Sequence, residues 1–341
     1  MSSESVTAES EQVAVIGAGS WGTALALVAA HNRHAVRLWA REPEVAQQIN
    51  ATQRNPYYLT DIELPENLRA TDSLAEALDG AGFVLIVVPS HATRQVVEQM
   101  QPYLSAQQTL VSATKGIENV TLMRMDEVIV DVLKGRFAPR FVALSGPSFA
   151  REVATGNPTA IVAASREPRA SEAVQRLLSA SVFRVYTNSD VVGVELGGAV
   201  KNVVAIGSGV VRGLGMGTNT VAAIITRGLA EMTRLALAQG ARVETLAGLA
   251  GLGDLVLTCT GELSRNRRVG VELGKGRKLA EIVGEMREVA EGVKTTRAIY
   301  ELGKRLNIDM PITASIHALL YEDKPAIEAA NELMGRPLKR E

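Results

Sequence analysis

The chain has 341 residues, more than one ordinary hydrophobic core accommodates, so two domains are expected. Its 36 basic and 37 acidic residues leave a formal charge of −1, which, with only 4% aromatic residues, argues against a nucleic acid or an anionic membrane as partner. A single cysteine, Cys259, excludes an internal disulfide. His31, His34, His91 and His317 lack the spacing of zinc ligands, so no structural metal is expected either.

In chain order, residues 1–11 are polar, carry Glu4, Glu9 and Glu11, and lack the basic start and apolar centre of a signal peptide. We read them as a disordered tail. No apolar stretch approaches the ~20 residues of a membrane span, and a cytoplasmic protein is expected. The run Gln12-Val13-Ala14-Val15-Ile16-Gly17-Ala18-Gly19-Ser20-Trp21-Gly22 then turns an apolar strand into a helical stretch beginning at Thr23. In that context the glycine pattern reads as a pyrophosphate loop. Gly17 permits the tight turn, Gly19 the close approach of backbone to phosphate, and Gly22 the packing of helix on strand. Free N–H groups and the positive dipole end of the helix receive the anion.

Further strands are expected at 35–39, 83–88, 109–113, 141–144, 159–163 and 183–186, with a surface loop from Asn55 through Pro65. Several strands are apolar without alternation, as when helices cover both faces of a mainly parallel sheet. After Asp190 the strand signal stops. From Thr218 to Gln239, Val221, Ile225, Leu229, Met232 and Leu235 step by three or four along one helical face. The expected fold class is therefore α/β, a Rossmann-like doubly wound sheet over residues 12–190 followed by an all-helical domain over 191–341.

Ligands of such a sheet lie beyond the carboxyl ends of its strands. Those positions hold Arg41, Pro89-Ser90-His91, Thr114-Lys115-Gly116 and Ser145-Gly146-Pro147-Ser148. Lys115 suits an anionic ligand, unless it is a solvated loop lysine. Arg41 stands where an NAD-specific fold carries Asp or Glu and favours a 2′-phosphate; the adjacent Glu42 could instead face a ribose hydroxyl, so the residues leave NADP, NAD or both open as the cofactor. Lys201 is the sharpest catalytic candidate. Between Asp190 and Arg212 only it and Glu195 are charged, and Val200, Val203, Val204, Ala205 and Ile206 crowd it. Desolvation lowers a lysine pKa toward neutrality, where the amine can take or return a hydroxyl proton. Gly197 and Gly198, one turn away, are expected to leave room for a ligand; the plainer alternative is a lysine paired with Glu195. Asp254, in a glycine-rich apolar stretch, is either the partner of Lys201 or the cap of the next helix. Ser264-Arg265-Asn266-Arg267-Arg268 sets three arginines behind a candidate N-cap serine and suits phosphate.

Together these features point to hydride transfer to a small phosphorylated carbonyl compound. A β-hydroxyacid dehydrogenase of similar architecture and a non-catalytic dinucleotide sensor are the rival readings.

Six motifs, namely Val15-Ile16-Gly17-Ala18-Gly19-Ser20-Trp21-Gly22-Thr23-Ala24-Leu25, Val88-Pro89-Ser90-His91, Ala113-Thr114-Lys115-Gly116-Ile117-Glu118, Ser145-Gly146-Pro147-Ser148-Phe149-Ala150, Leu196-Gly197-Gly198-Ala199-Val200-Lys201-Asn202, and Gly251-Leu252-Gly253-Asp254-Leu255 with Ser264-Arg265-Asn266, resemble the bacterial NAD(P)-dependent glycerol-3-phosphate dehydrogenases, in that family's order. The resemblance runs from about Gln12 to the C-terminus. It implies reversible reduction of dihydroxyacetone phosphate to sn-glycerol 3-phosphate, the precursor of glycerophospholipids, with NADPH or NADH as donor, no metal, and a homodimer. It implies Lys201 as proton acceptor in the oxidation direction, with Asp254 beside it. Lys115, Gly146, Ser148, Ser264, Arg265 and Asn266 would surround the substrate. Gly17, Gly19, Ser20, Trp21, Gly22, Arg41, Lys115, Ala150, Arg265, Val289 and Glu291 would line the dinucleotide.

Overall fold

The computed structural model describes residues 10–286, 290–338 and 340. Eight strands form one sheet: β1 (Gln12–Ile16), β2 (Ala35–Trp39), β3 (Leu68–Thr71), β4 (Phe83–Ile86), β5 (Thr109–Ser112), β6 (Arg140–Ser145), β7 (Thr159–Ala164) and β8 (Phe183–Asn188). Their order is β3-β2-β1-β4-β5-β6-β7-β8, and only the β6–β7 pair is antiparallel. The chain leaves β1 toward β2 on one side and β4 on the other. That reversal opens a crevice at the carboxyl end of β1, where the glycine loop sits.

The apolar strands are explained by burial on both faces. Along β1, Val13 and Val15 enter one core cluster with Leu25, Leu38 and Leu85, while Ala14 and Ile16 enter another with Val84, Ile86 and Leu110. Seven strands fall where the sequence reading puts them, within one or two residues at either end. β3 was not expected. It offers only Leu68 and Ala70 as buried apolar residues around an exposed Arg69, and it exists because β2 pairs with it along Val36, Arg37, Leu38 and Trp39. β4 ends at Ile86 rather than Val88, because the chain turns there toward Pro89, which precedes the Ser90–Met100 helix.

Of the expected tail, residues 1–9 lie outside the described residues. Ser10 and Glu11 are held: Ser10 Oγ donates to the Arg33 carbonyl (3.1 Å), and the Glu11 carbonyl accepts from Ala35 N (3.0 Å).

Among the described residues beyond Asn188 only helices occur, around a third core cluster. The expected helix from Thr218 is Thr218–Ala238, with Val221, Met232 and Leu235 buried. The axis of this half is the helix Val191–Gly213. It is long and apolar enough to cross a membrane, yet 94% of its most apolar stretch is buried inside the fold. It packs backbone to backbone on the helix Arg265–Gly274. A Cβ on Gly209 would lie 2.1 Å from the Arg267 carbonyl oxygen, and one on Gly270 would lie 2.0 Å from that of Ile206. No side chain fits between the two helices there.

Candidate active site

The glycine loop makes a tight turn with the helix packed closely behind it. Gly17 has φ +118°, and a Cβ there would meet the Val87 carbonyl oxygen at 2.7 Å; on Gly22 it would meet that of Gly17 at 1.8 Å. On Gly19 it would meet no heavy atom within 4 Å, so this backbone faces open space. Gly19 is also the N-cap of the helix Ser20–His31, and no side chain caps that helix. The half-buried Trp21 keeps its indole N–H buried without a protein partner. An uncapped helix start beside a side-chain-free approach fits a dinucleotide phosphate. The expected surface loop at Asn55 is anchored here. Asn55 is buried, and its amide donates to the Ala18 carbonyl and to Thr23 Oγ1, both at 2.9 Å.

Arg41 lies two residues past β2 with its side chain 81% exposed. Its Nε donates to Glu42 Oε1 (2.9 Å), so the two residues that sequence reading set as alternatives are paired with each other. Ala150 opens the helix Ala150–Ala154 and packs against the sheet core, and Ser148 Oγ donates to the Gly146 carbonyl (2.9 Å). Val289 lies outside the described residues. Glu291 opens the helix Glu291–Arg305; burial raises its carboxyl above the ordinary carboxylate range, with Arg265 and the Ser90 N–H pulling the other way.

A cluster of charges joins the two halves. Lys201 is buried, and its ammonium donates to Asp254 Oδ1 and to Thr258 Oγ1, the latter at 3.0 Å. Lys115, from the loop after β5, donates to Asp254 Oδ2 (2.9 Å) and to the Gly146 carbonyl (3.2 Å). One carboxylate is thus held between two ammonium groups. Burial alone would raise Asp254, but the two lysines outweigh it and keep the acid below its ordinary value. Lys201 goes the other way. Loss of hydration and the nearby Lys115 charge lower it to about 7, although Asp254 opposes them.

The backbone explains how Asp254 arrives there. Leu249–Gly253 is a single π-helical turn leading directly into the helix Asp254–Thr260. A Cβ on Gly197 would meet the Ala250 carbonyl oxygen of that turn at 2.5 Å. Gly197 therefore admits protein backbone rather than the ligand expected there, and Gly198 is filled by Ser145 Oγ and the Lys115 stem. Lys201 is not paired with Glu195, whose Oε1 accepts from Asp126 N (3.0 Å). Asp254 is the first residue of its helix, with Gly253 as N-cap, so it acts as a charge partner and not as a cap.

Ser264 is the expected N-cap, its Oγ accepting from Arg267 N (3.2 Å). Arg265 and Arg268 are exposed and Arg267 is half-buried. Asn266 is buried and its amide is committed: Nδ2 donates to Asn202 Oδ1 and Oδ1 accepts from Gly292 N, both at 2.9 Å. Sequence reasoning missed Asn202 and Thr258. Thr258 had a signal, since it stands one helical turn from Asp254. Among the described residues no group of His, Cys, Asp and Glu could hold a metal.

Two family models cover this arrangement. Residues 12–171 match the NAD-dependent glycerol-3-phosphate dehydrogenase N-terminus and residues 190–331 its C-terminus. The chain is 57% identical over 328 residues to the glycerol-3-phosphate dehydrogenase (NAD(P)+) of Koribacter versatilis, covering 96% of this chain and 97% of that one. It is 56% identical over 332 residues to the enzyme of that name from Geobacter sulfurreducens, covering 97% and 99%. The crystal structure of glycerol-3-phosphate dehydrogenase from Coxiella burnetii superposes with a TM-score of 0.91 at 42% identity, over 96% of this chain and 99% of that chain. With a dinucleotide loop, a buried lysine–carboxylate cluster and both halves matched, the chain belongs to the NAD-dependent glycerol-3-phosphate dehydrogenase family.

Proposed function

We propose that this oxidoreductase reversibly reduces dihydroxyacetone phosphate to sn-glycerol 3-phosphate with NADPH or NADH, feeding glycerophospholipid synthesis, and that Lys201 carries the proton. The observation that carries the assignment of the base is the buried Lys201, lowered to about 7 and hydrogen-bonded to Asp254 and Thr258. The bound dinucleotide supplies the hydride. Gly17, Gly19, Ser20, Trp21 and Gly22 receive its pyrophosphate side, Arg41 its ribose end, and Ala150, Arg265 and Glu291 complete the lining among the described residues.

In the reduction direction the Lys201 ammonium gives a proton to the oxygen developing negative charge on the substrate's second carbon; in oxidation its neutral amine takes that proton back. Asp254 holds the amine by one of its oxygens and Lys115 by the other, fixing their spacing. Lys115, Gly146, Ser148, Ser264, Arg265 and Asn266 form the surroundings of the phosphorylated substrate, with the arginine taking the phosphate. Holding that unreactive end orients the carbonyl toward the lysine. The chain works as a homodimer in the cytoplasm; the family resemblance supports both points, and analytical ultracentrifugation tests the first.

The decisive assay gives purified protein dihydroxyacetone phosphate and follows loss of NADPH and NADH absorbance separately. Turnover of carboxylated 2-keto or 3-hydroxy acids in preference to the phosphate would replace this reading with that of a β-hydroxyacid dehydrogenase.

A further inference from the structure

Behind the lysine cluster lies a second polar site that the proton transfer does not use. A space of about 10 Å³ is lined by Ser112, Thr114, Lys115, Ser145, Glu195 and Gly198. Ser112 Oγ, Ser145 Oγ and Glu195 Oε2 are all buried there without a protein hydrogen-bond partner. Thr114 Oγ1 is already committed to the Val88 carbonyl (2.8 Å). Three unmet polar atoms around a space at the lower limit for one water are the conditions under which a buried water is retained.

We propose that Glu195 is a positioning residue for the lysine cluster: through one bound water shared with Ser112 and Ser145, it ties the Lys201 helix to the strand ends beside Lys115. The groups facing Glu195 suit this task. From the start of the helix Met125–Leu133, Asp126 N donates to Glu195 Oε1, and Arg124 Nε stands 3.5 Å from Oε2. Asp126 is itself paired with Arg124 (3.1 Å) and Arg166 (2.9 Å), which draws their charge away from Glu195. Burial and the neighbouring Asp126 push the Glu195 carboxyl well above its ordinary value against the pull of Arg124. Of its two oxygens, Oε1 is taken by Asp126 N, and Oε2 is the one left to meet a water. Glu195 lies on the Val191–Gly213 helix, six residues before Lys201, and Ser112 and Ser145 end β5 and β6. Each strand end leads straight into a loop of the site, at Lys115 and at Gly146.

This inference rests on Lys201 being the proton carrier, and the test separates the two. A crystal structure of the parent protein at high resolution is expected to show one ordered water touching Ser112, Ser145 and Glu195; a dry cavity overturns the tie whatever the kinetics show. Glu195→Leu should lower kcat about 10- to 100-fold with KM values and nucleotide affinity within about twofold, since small misplacements near the reacting groups act on turnover. Glu195→Gln, which keeps the size of the side chain and a polar end for the water, should restore most of kcat. Unchanged kcat in Glu195→Leu overturns the proposal, and so does an equal loss in nucleotide affinity, which marks a merely structural role. If the leucine variant does not fold, Ser112→Ala decides: the same loss confined to kcat supports the tie, and parental kcat overturns it. Near-normal turnover by Lys201→Ala would instead remove the base assignment while leaving the water in place.

Discussion

The nucleotide loop and the lysine cluster are built by opposite means. The loop is mainly local: Gly17, Gly19 and Gly22 span six residues, and the turn is made by the backbone of β1 and the helix behind it, with Val87 and Asn55 closing on it from elsewhere. The cluster is assembled from afar. Lys115 and Asp254 are 139 residues apart in the chain, Lys201 and Asp254 are 53 apart, and they meet only because glycines let the π-helical turn press against the Lys201 helix. A local site is fixed by conformation; a distant one is fixed by packing and by desolvation. The first should therefore fail sterically when changed, and the second electrostatically.

Four substitutions sharpen that contrast. Lys201→Ala is expected to have the largest effect, lowering turnover about 10²- to 10⁴-fold while nucleotide binding, measured by fluorescence titration, stays near parental. Gly22→Val should do the reverse. It forces a side chain against the Gly17 carbonyl and should weaken nucleotide binding by about 1–3 kcal/mol, roughly 5- to 150-fold in Kd, and turnover at saturating nucleotide should recover. Third, the pH profile reports the charge balance of the cluster. With Lys201 as the proposed proton carrier, oxidation of glycerol 3-phosphate uses the neutral amine, so its rate should rise with pH through about 7, while reduction, which uses the ammonium, should fall over the same interval. Because Asp254 holds Lys201 up against desolvation, Asp254→Asn should move that midpoint to lower pH and lower kcat about tenfold. A midpoint that stays in place or moves upward would contradict the pairing. The smallest effect belongs to Arg41→Ala, where a solvent-exposed ion contact should shift the ratio of NADPH to NADH use only about two- to fivefold, read from kcat/KM for each.

The same contrast explains what could be read in the chain. Strands buried on both faces announce themselves as apolar runs, and the glycine loop is contiguous, so both were legible without a structure. Lys201 was legible because a lone charge among apolar residues is itself a signal. β3 was not, because its two buried apolar residues become a strand only when β2 is beside it. Nor was the sharing of Asp254 between Lys115 and Lys201, since pairing across 139 residues leaves no periodic trace. Asn55 shows the same limit. It sits in a stretch that reads as surface loop, yet its amide is buried against the glycine loop. Gly197 and Gly198 were recognised as space, but their occupant is protein backbone and side chain, which composition alone does not distinguish from ligand.

The contact of Gly209 with the Arg265–Gly274 helix has a mechanical consequence. Two rods whose main chains touch have no compressible layer of side chains between them, so they shift together or not at all. The main-chain positions of Lys201 on one rod and of Arg265 at the head of the other are thereby kept at a set span, and under the proposed function that span acts as a ruler for a molecule laid between them. On that reading, phosphorylated compounds one carbon longer or shorter than a triose are expected to be turned over more slowly through distance alone, with no clash required.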